Sequence, residues 1–381
     1  MFTPPARLWS MAVALSCMVP SVAFASPCPD SAAAITDATP CIDDDHQFPW
    51  GQHERHIGHR DRLIVAMSAP RSIVAIDPVD GRTVATLALP AATDGTASPR
   101  APVLAASADR ARIAVADPAS RTILLVDAAT MVPLARHAFA DTPADLALSA
   151  DGREVWVAWR DRPNISIHDG ATLRETGMLA VDGGVAHLRF APDGGSVLAC
   201  SADGTPARTI DRATHRTVAR IDQRGAGCSA AAYAPDGRHG WIALADGHGV
   251  VVADTDAPDG AARLVRQPGS VRAIAFEDNA LGTIADLCGT AGTVAIDTRS
   301  LATVRHARPG PPCRRLWPAG NGVRLYLLPA GERSQVARVD PLLRRDGADL
   351  TLPGQAGDVL YLPRVPDARG RNALAGRMAA R

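Results

Sequence analysis

Residues 190–221 open with Phe190-Ala191-Pro192-Asp193-Gly194-Gly195-Ser196-Val197-Leu198-Ala199-Cys200. They continue through Ala207-Arg208-Thr209-Ile210-Asp211-Arg212-Ala213-Thr214 to Thr217-Val218-Ala219-Arg220-Ile221. An Asp-Gly turn between two short apolar runs is a strong hairpin signal. The run that ends at Asp211 is a third strand, and Ala213-Thr214 turns the chain into a fourth. The same grammar recurs on both sides. Val-Ala-Ile-Asp77, Leu-Leu-Val-Asp127, Ser-Ile-His-Asp169, Val-Val-Ala-Asp254, Val-Ala-Ile-Asp297 and Ala-Arg-Val-Asp340 match Arg-Thr-Ile-Asp211 at spacings of 50, 42, 42, 43, 43 and 43 residues. Ala150-Asp151-Gly152-Arg153 and Pro235-Asp236-Gly237-Arg238 repeat the first turn. The one long spacing contains a Pro/Gly/Ser/Thr-rich insertion near Pro90 to Pro99, typical of a surface loop. A period in this range marks an array of identical supersecondary units. No segment carries a 3.6-residue period. The expectation is an all-β, seven-bladed β-propeller of four-stranded antiparallel blades.

Ring closure is also legible. An innermost strand precedes each repeated Asp by about 24 residues, but before Asp77 that position falls in Gln52-His53-Glu54-Arg55-His56. The missing strand reappears as Asp358-Val359-Leu360-Tyr361-Leu362. The first blade is therefore expected to be closed by the C-terminal strand, which removes exposed edges. The propeller spans 62–363 as one domain.

The 381 residues carry 40 basic and 40 acidic groups, and every basic one is arginine. The absence of lysine excludes a Schiff-base lysine, a Walker-type phosphate loop and a lysine general base. Zero net charge supplies no global basic field for nucleic acid, so none is expected as a partner. Aromatics at 4% argue against stacking platforms.

Residues 1–25 read as a cleaved secretory signal. Arg7 precedes the apolar run Leu8 to Val19, and Ala23-Phe24-Ala25 offers a small-x-small cleavage pattern. Without it the chain has 39 arginines against 40 acids, a net charge of −1. No other run is long enough to cross a membrane. Residues 26–61 form a His/Asp-rich leader, and 364–381 form a tail with five arginines. A periplasmic or secreted location follows, and a closed ring has no need to oligomerise, so a monomer is expected.

The mature chain keeps six cysteines, an even number that reads as disulfides in an exported protein. Cys200 and Cys288 end second strands, while Cys228 and Cys313 begin the next inner strands. In a propeller those ends share a face, which predicts Cys200–Cys228 and Cys288–Cys313 as equivalent inter-blade staples. Cys28–Cys41 would close a loop in the leader. Cys-x-x-Cys-His is absent, so no covalent c-type haem is expected, and any other cofactor is unknown.

The units resemble seven-bladed YVTN-type propellers through their strand–Asp and Pro/Ser-Asp-Gly-Arg elements, over roughly residues 62–363. This group is similar in architecture to amine dehydrogenase large subunits, lactonases and the haem domain of cytochrome cd-type nitrite reductases. The last is eight-bladed, against the seven counted in this chain. The resemblance implies a fold more than an activity.

Two places could carry chemistry. Aligning inner strands by their Asp-Gly turns puts Asp145, His187, Ala230 and Ala273 at one level, with Arg272, Arg314 and Arg315 beside it. Such a ring at the channel mouth suits bidentate capture of a carboxylate or phosphate. Asp145 with His187 is also the one acid/base pair to propose for hydrolysis. Separately, His46, His53, His56 and His59 follow or adjoin Asp43-Asp44-Asp45 and could ligate zinc, copper or nickel, although Gly51 and Gly58 break any helix that would fix them. The repeated aspartates read as turn-formers, and Trp156, Trp159 and Trp241 as packing between blades. With no recognisable catalytic set, the chain reads first as a non-catalytic binding or scaffold protein for a protein partner or small anionic ligand. A redox accessory subunit or lactonase-like enzyme is the alternative, and a periplasmic metal-binding protein acting through the leader is the second.

Overall fold

In the computed structural model the described residues are 57–93, 101–257, 262–279, 282–306, 312–319, 324–331, 334–340 and 347–365. They form seven four-stranded antiparallel sheets. Counted from the centre outwards, blade one consists of Gln355–Leu362, Arg62–Ala69, Arg71–Ile76 and Thr83–Ala88. The inner strands of blades two to seven are Val103–Ala106, Pro143–Leu148, Val185–Phe190, Cys228–Tyr233, Val271–Asn279 and Cys313–Pro318. Consecutive inner strands contact one another, and Gln355–Leu362 meets both Cys313–Pro318 and Val103–Ala106, so the ring is closed. As the repeat implies, one chain terminus supplies the strand that the other lacks.

Burial follows position in the blade. Second strands such as Arg112–Asp117, Glu154–Trp159 and His239–Leu244 are buried along nearly their whole length. Both of their faces pack on neighbouring sheets, so they read as continuous apolar runs instead of alternating ones. Outer strands such as Thr83–Ala88 and Glu175–Ala180 alternate exposed and half-buried residues.

Aromatic pairs fill two equivalent inter-blade seams. Trp156 and Trp241, the third residues of their second strands, are fully buried. Trp156 meets Phe190 edge-on at 5.7 Å, and Trp241 meets Phe276 in the same way at 5.6 Å. Each phenylalanine belongs to the inner strand of the following blade.

The repeated aspartates build turns. Asp127 Oδ1 accepts the amides of Ala129 and Thr130 and the Thr130 hydroxyl. Asp169 does the same with Ala171 and Thr172. Asp211 and Asp297 take the amide and hydroxyl of Thr214 and of Ser300. The Asp-Gly turns need their glycines, since Gly152, Gly194 and Gly237 have φ of 66°, 74° and 69°.

Two staples join adjacent blades: Cys200–Cys228, with Cα atoms 6.0 Å apart, and Cys288–Cys313, at 5.4 Å. Cys28 and Cys41 lie outside the described residues. Cys200–Cys228 closes a loop of separation 28, for which chain-entropy arguments give about 3.6 kcal/mol. The double substitution Cys200→Ala/Cys228→Ala is expected to lose about that much stability in urea unfolding.

At the seam, Asp61 is buried and joins the segment before Arg62–Ala69 to the residues at the end of the closing strand. Its carboxylate accepts the Tyr361 hydroxyl at 2.5 Å, the Arg364 amide at 2.6 Å and the Gly58 amide at 3.1 Å. Burial first, and then the Asp61 carboxylate, push the Tyr361 phenol up, so it stays protonated as the donor. Val365 is also buried, and its amide donates to the Arg60 carbonyl. Ile57 and Val365 pack against the two core clusters that blade one shares with its neighbours.

Candidate functional site at the channel mouth

Strand pairing places one residue of most inner strands at a common level. Asp145 lies opposite Ala158, His187 opposite Cys200, Ala230 opposite Ala243 and Ala273 opposite Cys288. Arg315, opposite Leu328, belongs to this level too, as does Asp358, opposite Ala66. Each sits just past an irregularity in the ladder. The extra residue there is Arg272 in blade six and Arg314 in blade seven. A bulge releases a side chain from the regular alternation, and it is at these two bulges that the sequence places arginine. Blade one has Gly357 instead, where a Cβ would come within 1.7 Å of the Ala101 Cβ. The level lies near the start of the inner strands, on the face that carries both disulfides.

Asp145 is 1% exposed. Its Oδ2 accepts three donors from the next inner strand: the Leu188 amide at 2.9 Å, Arg189 Nη1 at 2.9 Å and His187 Nδ1 at 3.2 Å. Burial opposes the charged carboxylate, but Arg189, His187 and the Leu188 amide outweigh it and hold the Asp145 carboxyl at about 2. Asp358 repeats the device at the closing strand. Its Oδ2 accepts the Leu104 amide of the next inner strand at 3.1 Å, and its Oδ1 accepts Arg315 Nε at 2.9 Å. Arg315 Nη1 also donates to the Arg272 carbonyl at 3.0 Å. One guanidinium therefore spans the inner strands of blades six, seven and one.

The sequence-derived residues accordingly divide. Asp145, His187 and Arg315 form a bonded lining. Arg272 is exposed, and Arg314 is half-buried with Nη1 3.4 Å from the Ala356 carbonyl. Sequence reasoning missed Arg189 and Asp358. Aligning Gly357-Asp358-Val359 with Ala144-Asp145-Leu146 exposes Asp358, whose strand is displaced in sequence by the circular closure. Arg189 pairs with Asp145 and Arg315 with Asp358, and Arg272 and Arg314 occupy the neighbouring bulges of blades six and seven.

The Asp145 contacts make acid sensitivity a test of the lining. Its folded value of about 2 lies below the unfolded carboxyl value of about 3.9. A depressed carboxyl stabilises the fold fully above its unfolded value, and that contribution is lost as pH falls through the folded one. Wild type is expected to lose about 2 kcal/mol from this group between about pH 5 and pH 2. Asp145→Asn, compared by urea midpoints across that range, should show the smaller acid loss.

His59 is the one predicted metal ligand among the described residues; its Nδ1 donates to Asp77 Oδ2 at 2.8 Å. His46, His53 and His56 lie outside them. A separate cavity of about 350 Å³ is lined by Asp193, Gly195, Ser196, Asp211, Val218 and Asp256. Two of its carboxylates are engaged in turns, Asp193 by the Gly195 amide and Asp211 by Thr214.

No family model matches the chain, and no curated protein matches it. Solved structures do. Kuenenia stuttgartiensis hydrazine synthase aligns with a TM-score of 0.54 at 14% identity, over 68% of this chain and 94% of that one. Dihydro-haem d1 dehydrogenase NirN in complex with DHE aligns at 0.59 and 14%, over 77% of this chain and 64% of that one. A functionally unknown protein from Desulfotomaculum acetoxidans aligns at 0.62 and 12%, over 79% and 99%. At these identities the likeness shows the fold alone: a β-propeller, with seven blades in this chain.

Proposed function

We propose that this chain is an exported propeller of YVTN type, with a cleaved signal at 1–25, a leader at 26–61 and an Arg-rich tail at 364–381. It acts as a binding or scaffold protein for a small carboxylate- or phosphate-bearing ligand, or an anionic segment of a protein partner. The observation that carries this reading is Arg272, exposed on a bulge of an inner strand, its carbonyl held by Arg315, itself paired with Asp358. Two further arginines are fixed in place by buried aspartates, a pre-organisation that lowers the cost of binding an anion. The two disulfides favour an oxidising compartment, periplasmic or extracellular. Among the described residues no helix is long and apolar enough to cross a membrane.

The test is calorimetric titration of the mature protein with citrate and with inorganic phosphate at low ionic strength. Binding that weakens by about 10-fold or more in Arg272→Ala/Arg314→Ala is expected, the loss of a charged partner in a pre-organised site. No binding of either probe, or equal binding by the variant, refutes it.

A second reading, an enzyme or redox accessory subunit, rests on the His187–Asp145 hydrogen bond, which orients an imidazole as a general base requires. The names of two structural neighbours point the same way. Lactone turnover that disappears with His187→Ala, or a bound chromophore in protein isolated from its native compartment, would favour this reading over the first.

A further inference from the structure

At the turn after its third strand, blade one carries a carboxylate where four other blades carry a hydroxyl and blade five carries Ala257. In blades two, three, four and six the residue three after the repeated aspartate is Thr130, Thr172, Thr214 or Ser300. Its hydroxyl donates to the aspartate Oδ1 at 3.0, 2.7, 2.5 and 2.6 Å. In blade one that residue is Asp80. The donor is replaced by a second carboxylate, which adds like charge beside Asp77 and cannot donate to it. Asp77 is 1% exposed, so its charge is poorly screened.

His59 lies over this pair. Its Nδ1 is 2.8 Å from Asp77 Oδ2, and one ligand atom each from His59, Asp77 and Asp80 all lie within 4.8 Å of one another. Asp77 Oδ1 accepts the Val79 amide at 2.9 Å, and Asp80 Oδ1 accepts the Arg82 amide at 2.8 Å. Each carboxylate is thereby oriented by backbone through Oδ1, while Oδ2 of Asp77 faces His59 Nδ1 and Oδ2 of Asp80 faces Arg82 Nε at 3.6 Å in an exposed, weak pair that an ion can displace. This is the outer-sphere support that metal-ligating groups have. The His59 ring is 69% exposed, which leaves the outer side open to water.

We propose that His59, Asp77 and Asp80 form a binding site for a divalent transition-metal ion of the zinc class, with water completing the coordination. One imidazole and two carboxylates suit a borderline cation held at about 2.0–2.2 Å. The site is independent of the channel mouth. It lies at the turn after the third strand of blade one, on the face opposite the disulfides. An ion there ties the segment before Arg62–Ala69, already joined to the end of the closing strand through Asp61, to the body of the blade.

The experiment is calorimetric titration of chelator-stripped mature protein with Zn²⁺, with thermal unfolding in parallel. Asp80→Thr installs the residue that blades two, three and four use at this turn, so that variant is expected to keep its fold. Wild type is expected to bind the ion and to melt higher as zinc is added. Asp80→Thr should bind more than about 10-fold more weakly, at least the loss seen when an outer-sphere partner is removed, and should lose the zinc-dependent rise. A triple His46→Ala/His53→Ala/His56→Ala variant should keep both. Absence of zinc binding, zinc binding unaffected by Asp80→Thr, or zinc binding lost in the triple variant overturns the proposal.

Discussion

A chain ending after Leu352 is expected to yield no stable monomeric ring. The truncation removes Gln355–Leu362, the inner strand of blade one, and with it every hydrogen bond that strand makes to Arg62–Ala69. It also removes Tyr361, Arg364 and Val365, the partners of Asp61 and Arg60. Asp61 would keep its buried position but lose two of its three donors, and an unpaired buried charge is costly. Met67, Leu63 and Val65 would lose the apolar face against which they pack. The free edge of Arg62–Ala69 would become a template for pairing between copies. Size-exclusion chromatography and circular dichroism of the truncated protein should show aggregated or unfolded material. A folded monomer of near-native stability would contradict the closure.

Trp156→Ala carries the second large effect. The indole is fully buried between blades three and four, edge-on to Phe190, and its Nε1 donates to Glu154 Oε2 at 2.8 Å. Neighbouring sheets cannot collapse into the space, because each is fixed by its own four-stranded ladder. A cost of about 3–5 kcal/mol is expected. Trp241→Ala should cost a similar amount, since it occupies the same position two blades on. Leu134→Ala, at an outer-strand residue that is 50% exposed, should stay within about 0.5 kcal/mol of wild type. Denaturant unfolding of the three variants decides whether the seams or the outer surface carry the stability.

Much of this fold was legible because a repeat states it seven times. A turn aspartate is ambiguous alone and obvious as the same residue in seven units. The Cys200–Cys228 and Cys288–Cys313 pairing followed from strand order alone, without distances. The mouth was harder. Inner-strand alignment found Asp145, His187 and Arg315, but Arg189 is bonded to Asp145 from a different level of its strand, which a single-level alignment does not show. Asp358 was hidden by the circular closure. Bulges decided the exposure of Arg272, and a one-residue irregularity leaves no mark in so short a strand. Asp80 was visible only as a break in a pattern, once the Thr/Ser hydroxyls of blades two, three, four and six were seen to bond their aspartates.

The central functional claim is that the arginine-rich mouth holds an anion. The direct measurement is anomalous diffraction from crystals of the mature protein soaked in tungstate, a tetrahedral oxyanion that stands in for phosphate. The account predicts a peak at the mouth beside Arg272, Arg314 and Arg315, absent from crystals of Arg272→Ala/Arg314→Ala. No peak there, or an undiminished peak in the variant, would contradict it.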